Sequence, residues 1–271
     1  MSVASSEMNM GIVELSAKCD KCAVERPSIL TTLEAEVSPG QWQASLPPEL
    51  LKLLARAPST YPGELWYKFL KRTVDIVLSI ALLIVALPLL IGTALLVRLT
   101  SRGPAFYTQV RWGLGGRPFK IIKFRSMVSD ADQHVDEMEA LAEARLVPAI
   151  NAPAFKSPDD PRVTRVGRIL RRTCIDELPQ LINVLAGQMS FVGPRPLVER
   201  EALGLSPDDC ARRHSVRPGL SCLWQVIRVD DTTFSERMEL DLAYVENASG
   251  MLDLAVMAMT PSAIAVGRGS D

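Results

Sequence analysis

The chain has 271 residues, and its 30 Lys and Arg nearly balance 31 Asp and Glu to give a net charge of −1. That balance and an aromatic content of 6% argue against a nucleic-acid partner. The mean hydropathy is nevertheless positive, which indicates one concentrated apolar block. Five cysteines, an odd number, argue against a disulfide scaffold and favour reduced thiols.

The N-terminal residues 1–65 contain small residues and prolines without sustained periodicity, which predicts a loosely ordered cytosolic leader. Leucines within residues 45–57 predict one short helix there. Cys19 and Cys22 form a single CxxC pair. We interpret them as ordinary thiols, and the alternative is a zinc site that would need further ligands.

A stretch without charged side chains, residues 76–97, is the apolar block. As a helix it would be about 33 Å long, close to the thickness of a bilayer core, and a buried core helix is the alternative. Pro88 predicts a kink near its middle. Basic residues flank both ends of the block. This favours a re-entrant helix in residues 66–102, with both ends on the cytosolic face, rather than a simple span. These flanking residues are Arg56, Lys68, Lys71, Arg72, Arg98, Arg102, Arg111 and Arg117.

The remaining residues, 103–271, predict one mostly α domain with a small β-hairpin, an α+β fold class. The hairpin pairs residues 105–110 with 117–124 across a glycine-rich turn. Helical or loop patterns follow: a polar helix at 130–145, a proline-rich loop at 152–161, and helices from 163 onward and at 233–246. Residues 251–259 predict a short interfacial or core helix that Pro261 ends.

Arginines recur every three positions before the most polar motif of the chain, at Arg162, Arg165, Arg168 and Arg171, with Arg172 beside them. On a helix they predict one basic stripe, with Val163, Val166, Ile169 and Leu170 facing the core. The stripe favours phosphate binding, and the alternatives are a solvated face or contact with anionic lipid headgroups.

Asp176 and Glu177 open the next helical pattern, which Gly187 ends. Proline is tolerated in a first helical turn, so Pro179 predicts that both acids lie at a helix N-terminus, and simple capping by Asp176 is the alternative. Two prolines then fix the backbone around Arg195, which suits a phosphate contact. A carboxylate pair binds Mg²⁺ or attacks phosphorus, and arginines neutralise the charge on a transferred phosphoryl group.

At these residues the chain resembles the monotopic polyprenyl-phosphate phosphoglycosyl transferases, also called bacterial sugar transferases. The resemblance covers residues 67–271 and rests on long motifs. They are KFRSM at 123–127, DPRVTRVGR at 160–168, DELPQL at 176–181, MSFVGPRP at 189–196, RPGL at 217–220, LWQV at 223–226 and ELDL at 239–242.

The resemblance implies a membrane helix that bends at Pro88 and a ping-pong reaction on the cytosolic face of the bacterial inner membrane. Asp176 would attack a UDP-sugar, UMP would leave, and polyprenyl phosphate would take the sugar phosphate from the enzyme. Glu177 would assist and, with Asp176, hold Mg²⁺. The phosphate- or substrate-binding residues would be Arg195, Arg171, Lys123, Arg125, Arg217 and Asp241.

Two other functions remain open at the level of the sequence. One is a catalytically silent scaffold of a polysaccharide assembly complex, although the intact carboxylate pair argues against it. The other is a soluble module that binds nucleotide sugars. The sugar is not specified, because discrimination depends on pocket shape, and the oligomeric state, a homo-oligomer included, is also open.

Overall fold

The uncharged block lies within one long helix, α1 (Leu65–Thr100), in a computed structural model that describes residues 65–128, 162–227 and 233–265. The predictions for residues 1–64, 130–145 and 152–161 fall outside these ranges. Helix α1 runs on through Pro88, because a proline removes only one backbone donor from the helical ladder. Its middle is exposed, with Ile84 at 68% and Val85 at 76%, so α1 is not a buried core helix.

The other elements are short. They are β1 (Phe106–Trp112), β2 (Pro118–Phe124), α2 (Arg165–Arg172), α3 (Gln180–Leu185), β3 (Ser190–Val192), α4 (Glu199–Leu203), α5 (Pro207–Arg213), β4 (Gly219–Ser221), α6 (Leu223–Val226), α7 (Phe234–Asn247) and α8 (Gly250–Ala265). The fold is mostly helical with two small sheets and one long apolar helix. Among the described residues, only α1 is long and apolar enough to cross a membrane.

The predicted hairpin is confirmed. Strands β1 and β2 pair antiparallel, with Phe106 opposite Phe124 and Trp112 opposite Pro118. A short 3-10 turn joins them. Phe119 and Ile121 are buried on one face of β2 in the main core, and the alternation of the strand places Lys123 on that same face, toward the polar site described below. Phe124 is buried on the opposite face, against Val97 and Leu170.

A second, parallel pair of strands was not predicted from the sequence. Ser190 of β3 lies opposite Gly219 of β4, and each strand has only three residues. Gly193 follows directly, and a Cβ there would come within 2.4 Å of the Arg217 carbonyl oxygen. A Cβ on Gly219 would meet the Gly193 nitrogen at 2.2 Å. Both positions therefore require glycine, and this close approach fixes the loop that carries Arg195.

Helices α3, α7 and α8 close the main core against these strands. Its fully buried members include Val184, Leu240, Tyr244 and Val256. The prediction that Pro261 ends the last helix is wrong, since α8 continues to Ala265. One lost backbone donor is tolerated here because the helix packs on the core along its length.

The first half of α1 is bound to the domain by polar side chains. Asp75 accepts hydrogen bonds from the Ser190 hydroxyl and the Phe191 N–H, both at 3.0 Å. Arg72 donates to the carbonyls of Val184 and Leu185 at the end of α3, at 2.7 and 2.8 Å. These contacts hold the start of α1 against the core of the domain.

The second half of α1 returns to the same domain through a different face. Val97 is buried with Phe124 and Leu170, in a cluster that also includes Leu90 and Ala94. Just beyond the helix, the Ser101 carbonyl accepts a hydrogen bond from Arg125 at 2.9 Å. Both ends of the apolar helix therefore contact one domain.

Candidate active site

A residue with a strained backbone conformation, Cys174, precedes the carboxylate pair. Helix α2 ends at Arg172, and Cys174 then adopts a left-handed conformation with φ of 55°. A side chain in that region costs about 1 kcal/mol or more, and such strain concentrates at functional sites. The turn directs the chain into a 3-10 segment, Ile175–Glu177, that contains both acids.

The predicted position of the acids within a helix needs a correction. Asp176 and Glu177 lie in the 3-10 turn, while α3 begins only at Gln180. Pro179 has no N–H for the Ile175 carbonyl, which instead accepts from Leu178 at 3.2 Å. Asp176 does not cap α3, so its carboxylate remains available. The end of α3 is as predicted, since Gly187 has φ of 81°.

The predicted arginine stripe is only partly formed. Helix α2 begins at Arg165, so Arg162 lies before it and is buried. A spacing of three residues drifts around a helix, and only Arg171 turns toward the acids. Ile169, predicted to face the core, is 63% exposed.

Asp176 is the least satisfied charged group of the turn. Its side chain is 4% exposed, and its Oδ1 atom has no hydrogen-bond partner. Burial, reinforced by the charge of Glu177, raises the pKa of Asp176 to about 6, although Lys123 and Arg171 oppose the change. The carboxylate is therefore ionised at neutral pH, poorly solvated and free to bind or attack an electrophile.

Glu177 is held by cations. The Lys123 Nζ lies 2.7 Å from Glu177 Oε1, and Arg195 Nη2 lies 3.9 Å from the same atom. Burial lowers the pKa of Lys123, and the contact with Glu177 counteracts it. The structure thus brings together five of the predicted site residues. These are Asp176, Glu177, Lys123, Arg171 and Arg195.

Asp241 is linked to the site through Arg213. It is fully buried, and its Oδ2 accepts from Arg213 Nε at 3.0 Å and Nη2 at 2.5 Å. Arg213 also donates to the backbone carbonyl of Arg195. The Oδ1 atom of Asp241 has no hydrogen-bond partner. The contact between substrate and Asp241 that the resemblance implies stays a prediction. The Arg213–Asp241 pair also supports the backbone of the loop that presents Arg195.

Two other predicted residues lie away from the acids. Arg217 donates to the Gly187 carbonyl at 2.9 Å, beyond the far end of α3. Arg125 is buried beside the end of α1, and its neighbour Ser126 accepts from Arg171 Nε at 2.8 Å. Arg217 stabilises a turn, and Arg125 connects the end of α1 to the segment that supports Arg171.

Further cations at the site were missed. Arg111, interpreted from the sequence as a membrane flank, lies on β1 and donates to the Pro196 carbonyl at 3.0 Å. Burial and the nearby charge of Arg195 lower the pKa of Arg111 to about 10. The guanidinium carbons of Arg195 and Arg237 lie 6.0 and 4.9 Å from the centroid of the Trp224 ring, within the range of cation–π contacts. No local pattern links these residues, which only the fold brings together.

Residues 66–267 match a sequence family described as bacterial sugar transferase. The chain belongs to the bacterial sugar transferase family. The match includes α1 from its second residue onward, the hairpin and every residue of the cluster around Asp176, so the resemblance predicted from the motifs is confirmed.

Curated members of the family are similar over the same part of the chain. The undecaprenyl-phosphate galactose phosphotransferase of Salmonella typhimurium is 42% identical over 198 residues, which is 73% of this chain and 40% of that protein. The exopolysaccharide production protein ExoY of Sinorhizobium fredii is 39% identical, over 74% of this chain and 87% of its own length. The UDP-glucose:undecaprenyl-phosphate glucose-1-phosphate transferase of Escherichia coli is 38% identical, over 71% and 39%.

The donor set of this family member suits a divalent cation shared with a ligand. Within the described residues, no group of three or more His, Cys, Asp or Glu side chains forms a self-contained metal site. Mg²⁺, however, is usually held by one or two carboxylates together with substrate phosphates. Asp176 Oδ1, buried and without a partner, beside Glu177, fits that kind of site.

Proposed function

We propose that this protein transfers a sugar 1-phosphate from a UDP-sugar to a polyprenyl phosphate, giving a polyprenyl-diphospho-sugar and UMP. The observation that carries the proposal is the buried carboxylate of Asp176, with a free Oδ1 atom beside three basic side chains. The named activities of the Salmonella and Escherichia relatives support this substrate class. The product would begin the assembly of an exopolysaccharide, capsule or O-antigen.

In the first half-reaction, the carboxylate of Asp176 attacks the phosphorus that bears the sugar. The new bond joins the carboxylate oxygen to phosphorus, and the bond from that phosphorus to the UMP oxygen breaks. UMP leaves with the electron pair, and a phosphosugar remains on Asp176. In the second half-reaction, an oxygen of polyprenyl phosphate attacks the same phosphorus and the Asp176 carboxylate leaves.

The cations around the acids supply the stabilisation that phosphoryl transfer needs. Charge develops on the phosphoryl oxygens, and fixed positive groups in a poorly solvated site stabilise it without reorganisation. Lys123, Arg171 and Arg195 are positioned to do this. Glu177 holds Lys123 and keeps the local charge from becoming strongly positive before the donor binds.

Mg²⁺ is proposed as the cofactor. Asp176 and Glu177 would hold it together with the diphosphate, and it would neutralise charge on the donor phosphates. Removal of divalent cations with a chelator should therefore stop UMP release, and added Mg²⁺ should restore it.

We infer that α1 enters and leaves the membrane on the cytosolic side. A straight helix of 36 residues would be about 54 Å long, and a full span would carry its ends to opposite faces. Asp75 and Val97, near the two ends of the apolar block, both contact the same domain. A bend at Pro88, with residues 66–102 embedded from the inner-membrane face, reconciles these contacts with the exposed middle of α1.

The decisive experiment separates the two half-reactions. Purified protein is mixed with a panel of UDP-sugars and Mg²⁺, without a lipid acceptor, and intact mass and UMP are measured. We expect one UMP per enzyme and a phosphosugar adduct on Asp176 for at least one donor. A silent scaffold would release no UMP, and an adduct elsewhere would refute Asp176 as the nucleophile.

A further inference from the structure

A cavity of about 480 Å³ lies directly beside the catalytic turn. Leu78 and Leu82 of α1 form one wall, and Met257 and Ile264 of α8 form another. Glu177 lies at the polar end, next to the proposed nucleophile. The volume is within the usual range for ligand pockets, about 300–1,000 Å³.

Most of the few polar oxygens in these walls are already paired. The Ser221 and Thr260 hydroxyls lie 2.8 Å apart, and Thr260 also donates to the Val256 carbonyl at 2.8 Å. Gln225 Oε1 accepts from the Cys222 N–H at 3.0 Å. A sugar or a nucleotide would bury hydroxyls and ring nitrogens here without partners, which is unfavourable. The walls suit a hydrocarbon.

The polar end suits an anion. Lys123 and Arg195 approach Glu177 from the site side, and Arg171 is close enough to affect the pKa of Asp176. A ligand that fills both regions therefore has a negatively charged head and an apolar tail. Charge complementarity with these cations places the head beside Asp176.

The cavity is reached from the side of the membrane helix. Leu82 is 39% exposed, and Pro261, another lining residue, is also exposed. The neighbouring residues of α1 present an apolar surface that ends at this opening. An apolar chain can therefore move from the bilayer into the cavity without crossing water.

We propose that this cavity binds the isoprene units next to the phosphate of the polyprenyl acceptor and holds that phosphate in line with Asp176. The inference rests on the proposed function. The occupant follows from the second half-reaction, since the attacking phosphate carries its own isoprenyl chain. The rest of the chain would remain in the bilayer beside α1.

Filling the cavity tests the proposal. Ala263 lines it and is buried, so Ala263→Phe places a ring where the chain would lie. Met251 is on the same helix but 63% exposed and outside the lining, so Met251→Phe is the matched control. Full-length wild type and variants are reconstituted in lipid nanodiscs and assayed in two stages.

The first stage measures UMP released by donor alone, and the second measures transfer from the preformed adduct to undecaprenyl phosphate. We expect both variants to release UMP within twofold of wild type, and only Ala263→Phe to slow transfer at least tenfold. Wild-type transfer in Ala263→Phe would overturn the cavity assignment. A wild-type protein that releases no UMP would instead refute the proposed function.

Two further measurements keep the test decisive if Ala263→Phe misfolds. Ile264→Trp fills the same cavity from a half-buried position and should slow transfer selectively. Wild type should also prefer undecaprenyl phosphate to geranyl phosphate at least tenfold, and Ile264→Trp should lose that preference. Inhibition of wild-type transfer by dioleoyl phosphatidate as strong as that by a long isoprenyl phosphonate would contradict selectivity for isoprenoids.

Discussion

Asp176 and Asp253 are both buried aspartates, but their surroundings differ. Asp253 lies on α8, and its Oδ1 accepts from the Tyr244 hydroxyl at 2.6 Å. Its Oδ2 accepts from the Tyr67 hydroxyl at 2.8 Å and from Lys71 Nζ at 2.7 Å. Asp176 Oδ1 has no such partner.

The difference separates a structural carboxylate from a reactive one. Three donors satisfy Asp253, which joins the start of α1 to α7 and α8 and has no oxygen left for chemistry. Asp176 is costly to bury in its charged form, and substrate phosphorus or a cation can relieve that cost. The same substitution at the two positions should therefore have opposite effects on stability.

The largest effect is expected from Asp176→Asn. The amide is not nucleophilic toward phosphorus, so adduct formation and UMP release should fall at least about a thousandfold. Intact mass after incubation with donor alone measures the adduct. Asp253→Asn serves as the comparison and should still form the adduct, so equal loss in both variants would break the distinction.

Folding stability should move the other way. The pKa of Asp176 in the folded protein is about 6, above the ordinary value of 3.8. Protonation of Asp176 therefore contributes stability that is fully present below pH 3.8 and is lost as the pH rises through 6. Asp176→Asn should therefore raise stability at pH 8 by up to about 2–3 kcal/mol. Asp253→Asn should lower it by about 2 kcal/mol, because Lys71 loses its carboxylate. Thermal melts in detergent with a chelator, at pH 5 and pH 8, would show whether the signs differ.

A double-mutant cycle tests whether Asp241 acts through Arg195. Arg195→Ala should slow UMP release by about tenfold to a hundredfold, since it removes one phosphate contact. If Asp241 only supports the loop through Arg213, then Asp241→Asn added to Arg195→Ala should cause little further loss. Additive losses would show that Asp241 contributes independently. A melt of each variant controls for unfolding.

The smallest effect concerns pH. In the proposed mechanism UMP release requires ionised Asp176, so the rate of UMP release should decline as the pH falls through about 6. Lys123 lowers the pKa of Asp176, and Lys123→Met should therefore move this acid limb to higher pH. Lys120→Met, an exposed lysine on the same strand, is the control and should leave the limb in place. An unchanged limb in Lys123→Met would mean that another group titrates.

Local patterns were sufficient for part of the molecule. Alternation and glycines predicted the hairpin, and the uncharged block predicted α1. The motif around Asp176 and Glu177, the arginine between two prolines and the resemblance together predicted most of the reactive cluster. These features depend on residues close in sequence, for which backbone preferences and motif spacing are informative.

The remaining features depend on contacts that are distant in sequence. The parallel β3–β4 pair forms only because Gly193 and Gly219 allow the two backbones to approach. Arg213 is recognisable as a support for Arg195 only once α5 packs on α7. The start of α3 after the acids depends on one missing N–H at Pro179, which a helical pattern of apolar residues does not reveal.

Arg72 connects α1 to the helix that follows the acidic turn. Arg72 donates hydrogen bonds to the last two carbonyls of α3. Helix α3 has six residues and is about 9 Å long, and its other end adjoins the acidic turn. In the proposed topology, we expect a tilt of α1 in the bilayer to move α3 and, through it, the turn that carries the carboxylates. Bilayer thickness and harsh solubilisation should consequently tune turnover, even though neither touches the donor.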